Sequence, residues 1–375
     1  MSKRSWTLRV LLLGAALLVA AAVGACLVFV PALGQLPEGA RLAAVQASPH
    51  YRDGQFVNLV QANTLSNDTN MLTAWTRRVK KVRPEPPGPV PTVKTDFKAV
   101  PRDHDIVVWL GHSSFYVQLA GKRVLIDPVF STYASPVPGV VKAFDGSSIY
   151  TADDFPPLDY VLISHDHYDH LDRATMLALL PKTRYVIAGL GMGAHFEYWG
   201  FPKEKIREGD WYTQFRLDPE ITVHLLPAQH YSGRTLTRNQ TLWAGYALES
   251  AQRRLFFSGD SGFGPHFEEI GKRFDGFDLV ALDSGQYDTR WAPIHMNPEE
   301  AARAAEVLRA KALLPGHIGR FSLAPHPWDE PLERIVVASE GKAYRLVTPR
   351  IGEPVDLTNA QQQFTRWWVD PRPPA

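Results

Sequence analysis

Ser164-His165-Asp166-His167-Tyr168-Asp169-His170 follows directly on the apolar run Leu158–Ile163, and the reading of this junction governs the rest of the chain. Three histidines and two aspartates fall within six residues. The arrangement predicts a strand that ends and delivers its polar side chains at a sheet edge. Imidazole nitrogen together with carboxylate oxygen is a donor set for zinc, iron or manganese. The pattern H-x-H-x-D-H is wide enough for two ions, with His165 and His167 facing one and Asp169 and His170 the other. A merely polar loop has no need of this coincidence of residue types and spacing.

One short loop cannot surround an ion, so further ligands must come from elsewhere in the fold. His230 follows the apolar run Ile221–Leu226 in Pro227-Ala228-Gln229-His230. Asp260 follows Arg254–Phe257 in Ser258-Gly259-Asp260-Ser261-Gly262, and His317 follows residues 312–314 in Leu314-Pro315-Gly316-His317. This repeated strand-then-ligand layout is what an open sheet with its site along one edge produces. Asp127, after the run 123–126 and before Pro128, is either an acceptor that orients a ligand histidine or a turn residue. His112 in the loop after 106–110 reads as a structural histidine. His326, between two prolines, reads as loop support, and His195, on an expected helix over 192–199, as a surface or packing residue.

With these residues in view the chain resembles the metallo-β-lactamase superfamily: H-x-H-x-D-H, then a lone His, an Asp in a Gly-Asp turn and a final His. It resembles one branch more closely. Gly111-His112-Ser113-Ser114-Phe115, Leu125-Ile126-Asp127-Pro128, residues 165–172, residues 227–236 and Phe267-Glu268-Glu269-Ile270-Gly271-Lys272-Arg273-Phe274 are similar to the N-acylphosphatidylethanolamine-hydrolysing phospholipase D family. The resemblance spans residues 48 to 335. It implies an α/β fold in four layers, αββα, and a site for two Zn2+ ions, with Mn2+ or Fe2+ as alternatives. His165, His167 and His230 would hold the first ion, Asp169, His170 and His317 the second, and Asp260 would bridge them. It further implies substrate contacts from Tyr168 and from His295, in Ile294-His295-Met296-Asn297-Pro298-Glu299-Glu300, with Asp169, Asp260 and His295 as catalytic residues. On the residues alone, packing is the alternative for Tyr168 and a helix-cap neighbour for His295. Two adjacent cations can share a water, lower its pKa and stabilise charge on a phosphoryl oxygen. The implied reaction is hydrolysis of an N-acylated phospholipid by a metal-bound hydroxide, releasing phosphatidic acid and an N-acylethanolamine.

Composition narrows the class. A chain of 375 residues, 45% of them hydrophobic, can bury a sizeable core. A net charge of +1 advertises no field for nucleic acid, and none is expected as a partner. The single cysteine, Cys26, excludes a disulfide framework and a thiolate metal site. Common class B β-lactamases place a Cys at the second metal. Asp260 stands in the corresponding Gly-Asp turn, which points away from β-lactam cleavage.

The N-terminus reads as a separate unit. Lys3, Arg4 and Arg9 precede the nearly wholly apolar stretch 10–30, which is 21 residues long, and about 20 suffice to cross a bilayer. Residues 1–34 are therefore expected to form a single membrane anchor, with the catalytic domain on the periplasmic or extracytoplasmic side by the positive-inside rule. A secreted or periplasmic protein, cleaved near Ala32-Leu33-Gly34, is the alternative. The lipobox-like Val23-Gly24-Ala25-Cys26 is disfavoured, because the apolar run continues past the cysteine. Residues 35–104 read as a linker and N-terminal extension. Within it, 70–82 could form a short helix ending in Arg77, Arg78, Lys80, Lys81 and Arg83, either a patch for anionic headgroups or a solvated helix end. Pro84, Pro86, Pro87, Pro89 and Pro91 form a stiff connector. The catalytic domain is expected over 105–375, with a helix over 298–311 and Trp367-Trp368 in a docked tail.

Three functions fit these features. The first is a membrane-associated zinc phosphodiesterase acting on N-acylated phospholipid. The second is a metal-dependent lactonase or esterase of a small substrate, and the third a non-catalytic metal-binding protein. All seven candidate ligands stand, which ranks the third last; the apolar run and the branch-specific segments favour the first. The expected partners are a phospholipid substrate and a membrane surface, with a homodimer an admissible oligomer.

Overall fold

The computed structural model describes residues 12–14, 24, 29–60, 81–137 and 139–369. Helix α1 (Gly39–Gln46) and a small hairpin, β1 (Tyr51–Arg52) and β2 (Gln55–Phe56), come before the main body. The first half of that body supplies β3 (Ile106–Trp109), β4 (Phe115–Leu119), β5 (Lys122–Ile126), β6 (Leu158–Ile163), α2 (Arg173–Leu179), β7 (Thr183–Gly189), α3 (Gly193–Tyr198) and β8 (Ile206–Gly209). The second half supplies β9 (Gln214–Phe215), β10 (Ile221–Leu226), β11 (Gly245–Ser250), β12 (Arg254–Phe257), α4 (His266–Phe274), β13 (Leu279–Asp283), α5 (Pro298–Val307), β14 (Ala312–Gly316), α6 (Glu330–Ala338) and β15 (Arg345–Leu346). Strand β16 (Pro354–Asp356) returns to the first half.

The strands form two seven-stranded sheets, ordered β16-β3-β4-β5-β6-β7-β8 and β15-β14-β13-β12-β11-β10-β9. Each is mixed. The first is antiparallel from β16 to β5 and parallel from β5 to β8. The second is antiparallel from β9 to β12 and parallel from β12 to β15. Parallel strands covered on both faces read as continuous apolar runs, which is why Leu158–Ile163 and Leu279–Asp283 are buried almost throughout.

Three apolar layers hold the body together. Val117, Val124, Leu162 and Ile187 of one sheet meet Val223, Leu225, Phe257 and Leu314 of the other. The outer face of the first sheet, with Val161, Ile163 and Val186, buries Met176 and Leu179 of α2 and Phe196 of α3. The outer face of the second, with Phe256, Val280 and Leu313, buries Phe267 and Ile270 of α4, Ala301 and Ala305 of α5 and Ile335 of α6. The order is helix, sheet, sheet, helix.

Two local expectations need adjusting. The helix expected over 298–311 stops at Val307, because Arg309 turns left-handed at φ 54° and Lys311 then donates its N–H to the Phe277 carbonyl, feeding β14. The stretch expected as a linker, 35–104, is tied to the body at several of its described residues. Phe97 is wholly buried, Val93 N–H donates to the Ile351 carbonyl and Val90 N–H to that of Asp145, and Arg41 pairs with Glu197 and Glu208. Of the basic cluster, Lys81 donates to the Ser322 carbonyl and Arg83 pairs with Asp329. Arg77, Arg78, Lys80 and most of the helix expected over 70–82 lie outside the described residues, as does most of the apolar run 10–30. Among the described residues no helix is long and apolar enough to cross a membrane. Trp367 and Trp368 are buried in the inter-sheet layer.

Candidate metal centre

Strands β3, β5, β6, β10, β12, β13 and β14 each end at the same edge of the sandwich, and the polar residue that follows or closes each one enters a single cluster. His165, His167, His230 and Asp260 form one group compact enough to hold an ion; His112, Asp169, His170 and His317 form another; Asp260, His295 and His317 form a third that joins them. His165 Nε2 and His167 Nδ1 lie 2.8 Å apart, and His230 Nε2 is 3.3 Å from the same His167 nitrogen. Asp260 Oδ2 is 3.8 Å from Nε2 of both His165 and His230 and 3.1 Å from His170 Nε2, while its Oδ1 is 3.2 Å from His317 Nδ1. Its carboxylate thus faces both groups. The Ser258–Asp260 turn can bring it there because residue 259 is glycine: φ is +60°, and a Cβ would stand 2.8 Å from the Ala244 carbonyl oxygen.

These residues fit a cation site. Nitrogens around tetrahedral zinc, bonded at about 2.0–2.1 Å, stand about 3.3 Å apart, close to the spacing of His167 and His230. His112 Nδ1, His167 Nε2, His170 Nε2, His317 Nε2 and Asp260 Oδ1 are buried with no hydrogen-bond partner among the described residues, a rare condition in protein interiors. Burial holds His165, His230 and His317 well below the ordinary histidine range and His167 at about 4, which favours the neutral imidazole that ligates metal. Burial also pushes Asp260 up to about 6, against the pull of His170. Burial would lower His170, yet the surrounding carboxylates of Asp260, Asp169 and Asp127 raise it well above the ordinary value.

The imidazoles are aimed by neighbours. Asp127 accepts from His170 Nδ1 at 2.8 Å and from the Ser164 backbone N–H at 2.7 Å, so of its two sequence readings the orienting acceptor is the one realised. His230 Nδ1 donates to the Ile294 carbonyl at 3.1 Å, which leaves Nε2 for the centre. His112, read from sequence as structural, places Nε2 2.8 Å from Asp169 Oδ2 and belongs to the cluster. Asp283, not singled out from sequence, lies 2.8 Å from His295 Nδ1 and is buried, which raises its pKa well above the carboxylate range. Both missed residues stand at strand ends, so the signal that singled out the other residues of the cluster was present for them too. Arg234 was also missed, and its neighbourhood carries no such signal.

Tyr168 and His295 flank the cluster on two cavities. Tyr168 lines one of about 490 Å³ with Phe130, Tyr133, Pro136 and Arg234; its hydroxyl is committed to the Arg234 carbonyl at 2.8 Å, so its ring is what the cavity meets. His295 lines another of about 480 Å³ with Tyr287, Asn297 and Arg334, and it stacks on His317 at 5.0 Å. His326 supports a loop as expected, accepting from the Gln286 N–H. His195 is buried rather than at the surface, accepting from the Gln35 N–H.

Residues 122–318 match the family model described as a beta-lactamase superfamily domain. An uncharacterised protein of Mycobacterium tuberculosis is 40% identical over 342 residues, covering 88% of this chain and 91% of its own length. The N-acyl-phosphatidylethanolamine-hydrolyzing phospholipase D 1 of Caenorhabditis elegans is 32% identical over 276 residues, covering 65% of this chain and 74% of the worm protein. Among solved structures, a metallo-hydrolase of the archaeon Ignicoccus hospitalis shares the fold with a TM-score of 0.51 at 21% identity, over 67% of this chain and 97% of that one.

Proposed function

The chain belongs to the metallo-β-lactamase superfamily, and on that premise we propose that it is a zinc-dependent phosphodiesterase cleaving N-acylphosphatidylethanolamine-type phospholipids to phosphatidic acid and N-acylethanolamine. That it is a metal-dependent hydrolase of this superfamily follows from the family match and the His/Asp clusters. The observation that carries the finer reading is Asp260, one carboxylate facing two groups each able to hold an ion. In this reading His165, His167 and His230 hold one ion, Asp169, His170 and His317 the other, and Asp260 lies between them. Two zinc ions there, with manganese or iron as alternatives, would acidify a water and polarise a phosphoryl oxygen.

The chain's own groups prepare the site. Asp127 and the Ile294 carbonyl hold protons at Nδ1 of His170 and His230, so that both present Nε2 inward. Asp283 engages His295 Nδ1, which leaves Nε2 as the nitrogen that hydrogen-bonds a substrate oxygen. The two cavities beside the cluster, of about 490 and 480 Å³, offer room for the two arms of a phosphodiester. Similarity to the worm enzyme supports the substrate class. The apolar run 10–30 supports a membrane tether that keeps the hydrolase at a lipid surface, with its body on the extracytoplasmic side.

Mass spectrometry of mixed phospholipid vesicles after incubation with the zinc-loaded protein tests this. Release of phosphatidic acid with N-acylethanolamine is expected. Opening of a small phosphorylated lactone, with no phosphatidic acid formed, would overturn the lipase reading and favour the lactonase.

A further inference from the structure

The first described residues after the apolar run are bound, through Arg234, to the segment 166–171, which carries three of the candidate ligands. Arg234 is buried, and its guanidinium meets backbone carbonyls. Nη1 donates to the carbonyls of Asp166 at 2.7 Å and Leu171 at 2.8 Å, which bracket His167, Asp169 and His170. Nε and Nη2 donate to the Ala32 carbonyl at 3.1 and 2.7 Å. The Tyr168 ring lies 4.1 Å from the guanidinium carbon. A second tie runs in parallel. Gln35 N–H donates to His195 Nδ1 at 3.0 Å, His195 Nε2 stands 3.5 Å from Asp166 Oδ2, and Asp166 Oδ1 accepts the Gly233 N–H at 2.6 Å. Trp199 Nε1 adds a bond to the Pro31 carbonyl at 2.8 Å. Gly34 makes the close fit workable. Its φ is +75°, and a Cβ there would stand 2.1 Å from His195 Nδ1.

A buried guanidinium is costly unless its donors are all met. Unseating residue 32 would strip Nε and Nη2 of their acceptor, and Arg234 would then have to move with the loop it holds. We propose that residues 31–35 are part of the support of the metal centre, with Arg234 and His195 as positioning residues through which this segment sets the placement of His167, Asp169 and His170. The inference rests on the metal reading above and extends it to a segment that composition assigns, all but Gln35, to the membrane anchor. Whatever fixes the apolar run 10–30 thereby also fixes the ligand loop.

The test uses the full-length chain loaded with Co2+, comparing wild type with Gly34→Val and Arg234→Gln. Gly34→Val drives a side chain into the His195 ring without changing any residue of the cluster. Three readings are taken: Co2+ affinity by competition, the visible absorption of the bound ion, and hydrogen exchange at amides 166–171 against those of β6 and β7. Loss of an outer support typically weakens metal binding about 10- to 100-fold. A drop of that size is expected in both variants, with an altered absorption band and faster exchange confined to 166–171. Should Arg234→Gln not fold, Gly34→Val and the milder Gly34→Ala decide. Unchanged Co2+ affinity and spectrum in folded Gly34→Val would overturn the inference. A wild-type chain that takes up no Co2+ would overturn the metal reading itself, and the inference with it.

Discussion

His112 Nε2 lies 2.8 Å from Asp169 Oδ2, joining the loop after β3 to the last carboxylate of the H-x-H-x-D-H motif. Both side chains are buried, and burial keeps the imidazole below its ordinary pKa even beside the carboxylate. A neutral ring donating from Nε2 fixes which way Asp169 points. His112→Ala should therefore weaken binding of the ion proposed for Asp169, His170 and His317 about 10- to 100-fold while sparing the one proposed for the His165 side. Stepwise metal competition, followed for each equivalent, checks this; equal weakening of both ions would count against it.

Asp260→Asn should cost turnover far more than folding. The substitution keeps the shape but removes the charge that faces both groups. Expected are a thermal midpoint within a few degrees of wild type and kcat lowered by about two orders of magnitude or more. A metal-loaded, folded variant with near-normal turnover would remove Asp260 from its bridging place.

Metal removal should abolish activity reversibly. Dialysis against a strong chelator is expected to inactivate the protein, and zinc to restore it at close to two ions per chain, since seven candidate ligands exceed what one tetrahedral ion can use. Elemental analysis beside the activity assay reads this. Saturation at a single ion would refute the two-ion arrangement.

Gly262→Ala should damage the site from outside it. A Cβ at this position would stand 1.9 Å from the Pro293 carbonyl oxygen, so the turn that carries Asp260 and the segment that carries His295 must move apart. A displacement on the order of 1 Å can cost about a hundredfold in rate. The expected result is a large fall in kcat/KM with metal still bound.

Tyr168→Phe and Tyr168→Ala should separate ring from hydroxyl. The hydroxyl serves the Arg234 carbonyl, so losing it costs about 1 kcal/mol of stability and leaves kcat/KM nearly unchanged. Losing the ring, which lines the cavity, should lower kcat/KM. A Phe variant as poor as the Ala variant would mean that the hydroxyl itself meets the substrate.

Much of the fold and cluster was legible because strand ends announce themselves. Leu158–Ile163, Ile221–Leu226 and Arg254–Phe257 are strands over the residues read from sequence, and each hands over to a His or Asp of the cluster. The same rule applied strictly would have promoted His112 and Asp283. Arg234 and the seat of residues 31–35 were not legible, for a physical reason. The bonds of residues 31–35 run between backbone groups and side chains 160 to 202 positions away, and a peptide group is the same whatever residue carries it. Composition marked residues 1–34 as a separate unit; it says nothing about which of their peptide groups another element will need.

The cluster draws on both halves of the sandwich, from His112 after β3 to His317 after β14. A chain still emerging from the ribosome, or one whose second sheet has not yet docked, holds only His112, Asp127 and the 165–170 loop, and lacks His230, Asp260, His295 and His317. The complete cluster therefore exists only where the two sheets are docked, and its assembly reports on the docking of one half against the other.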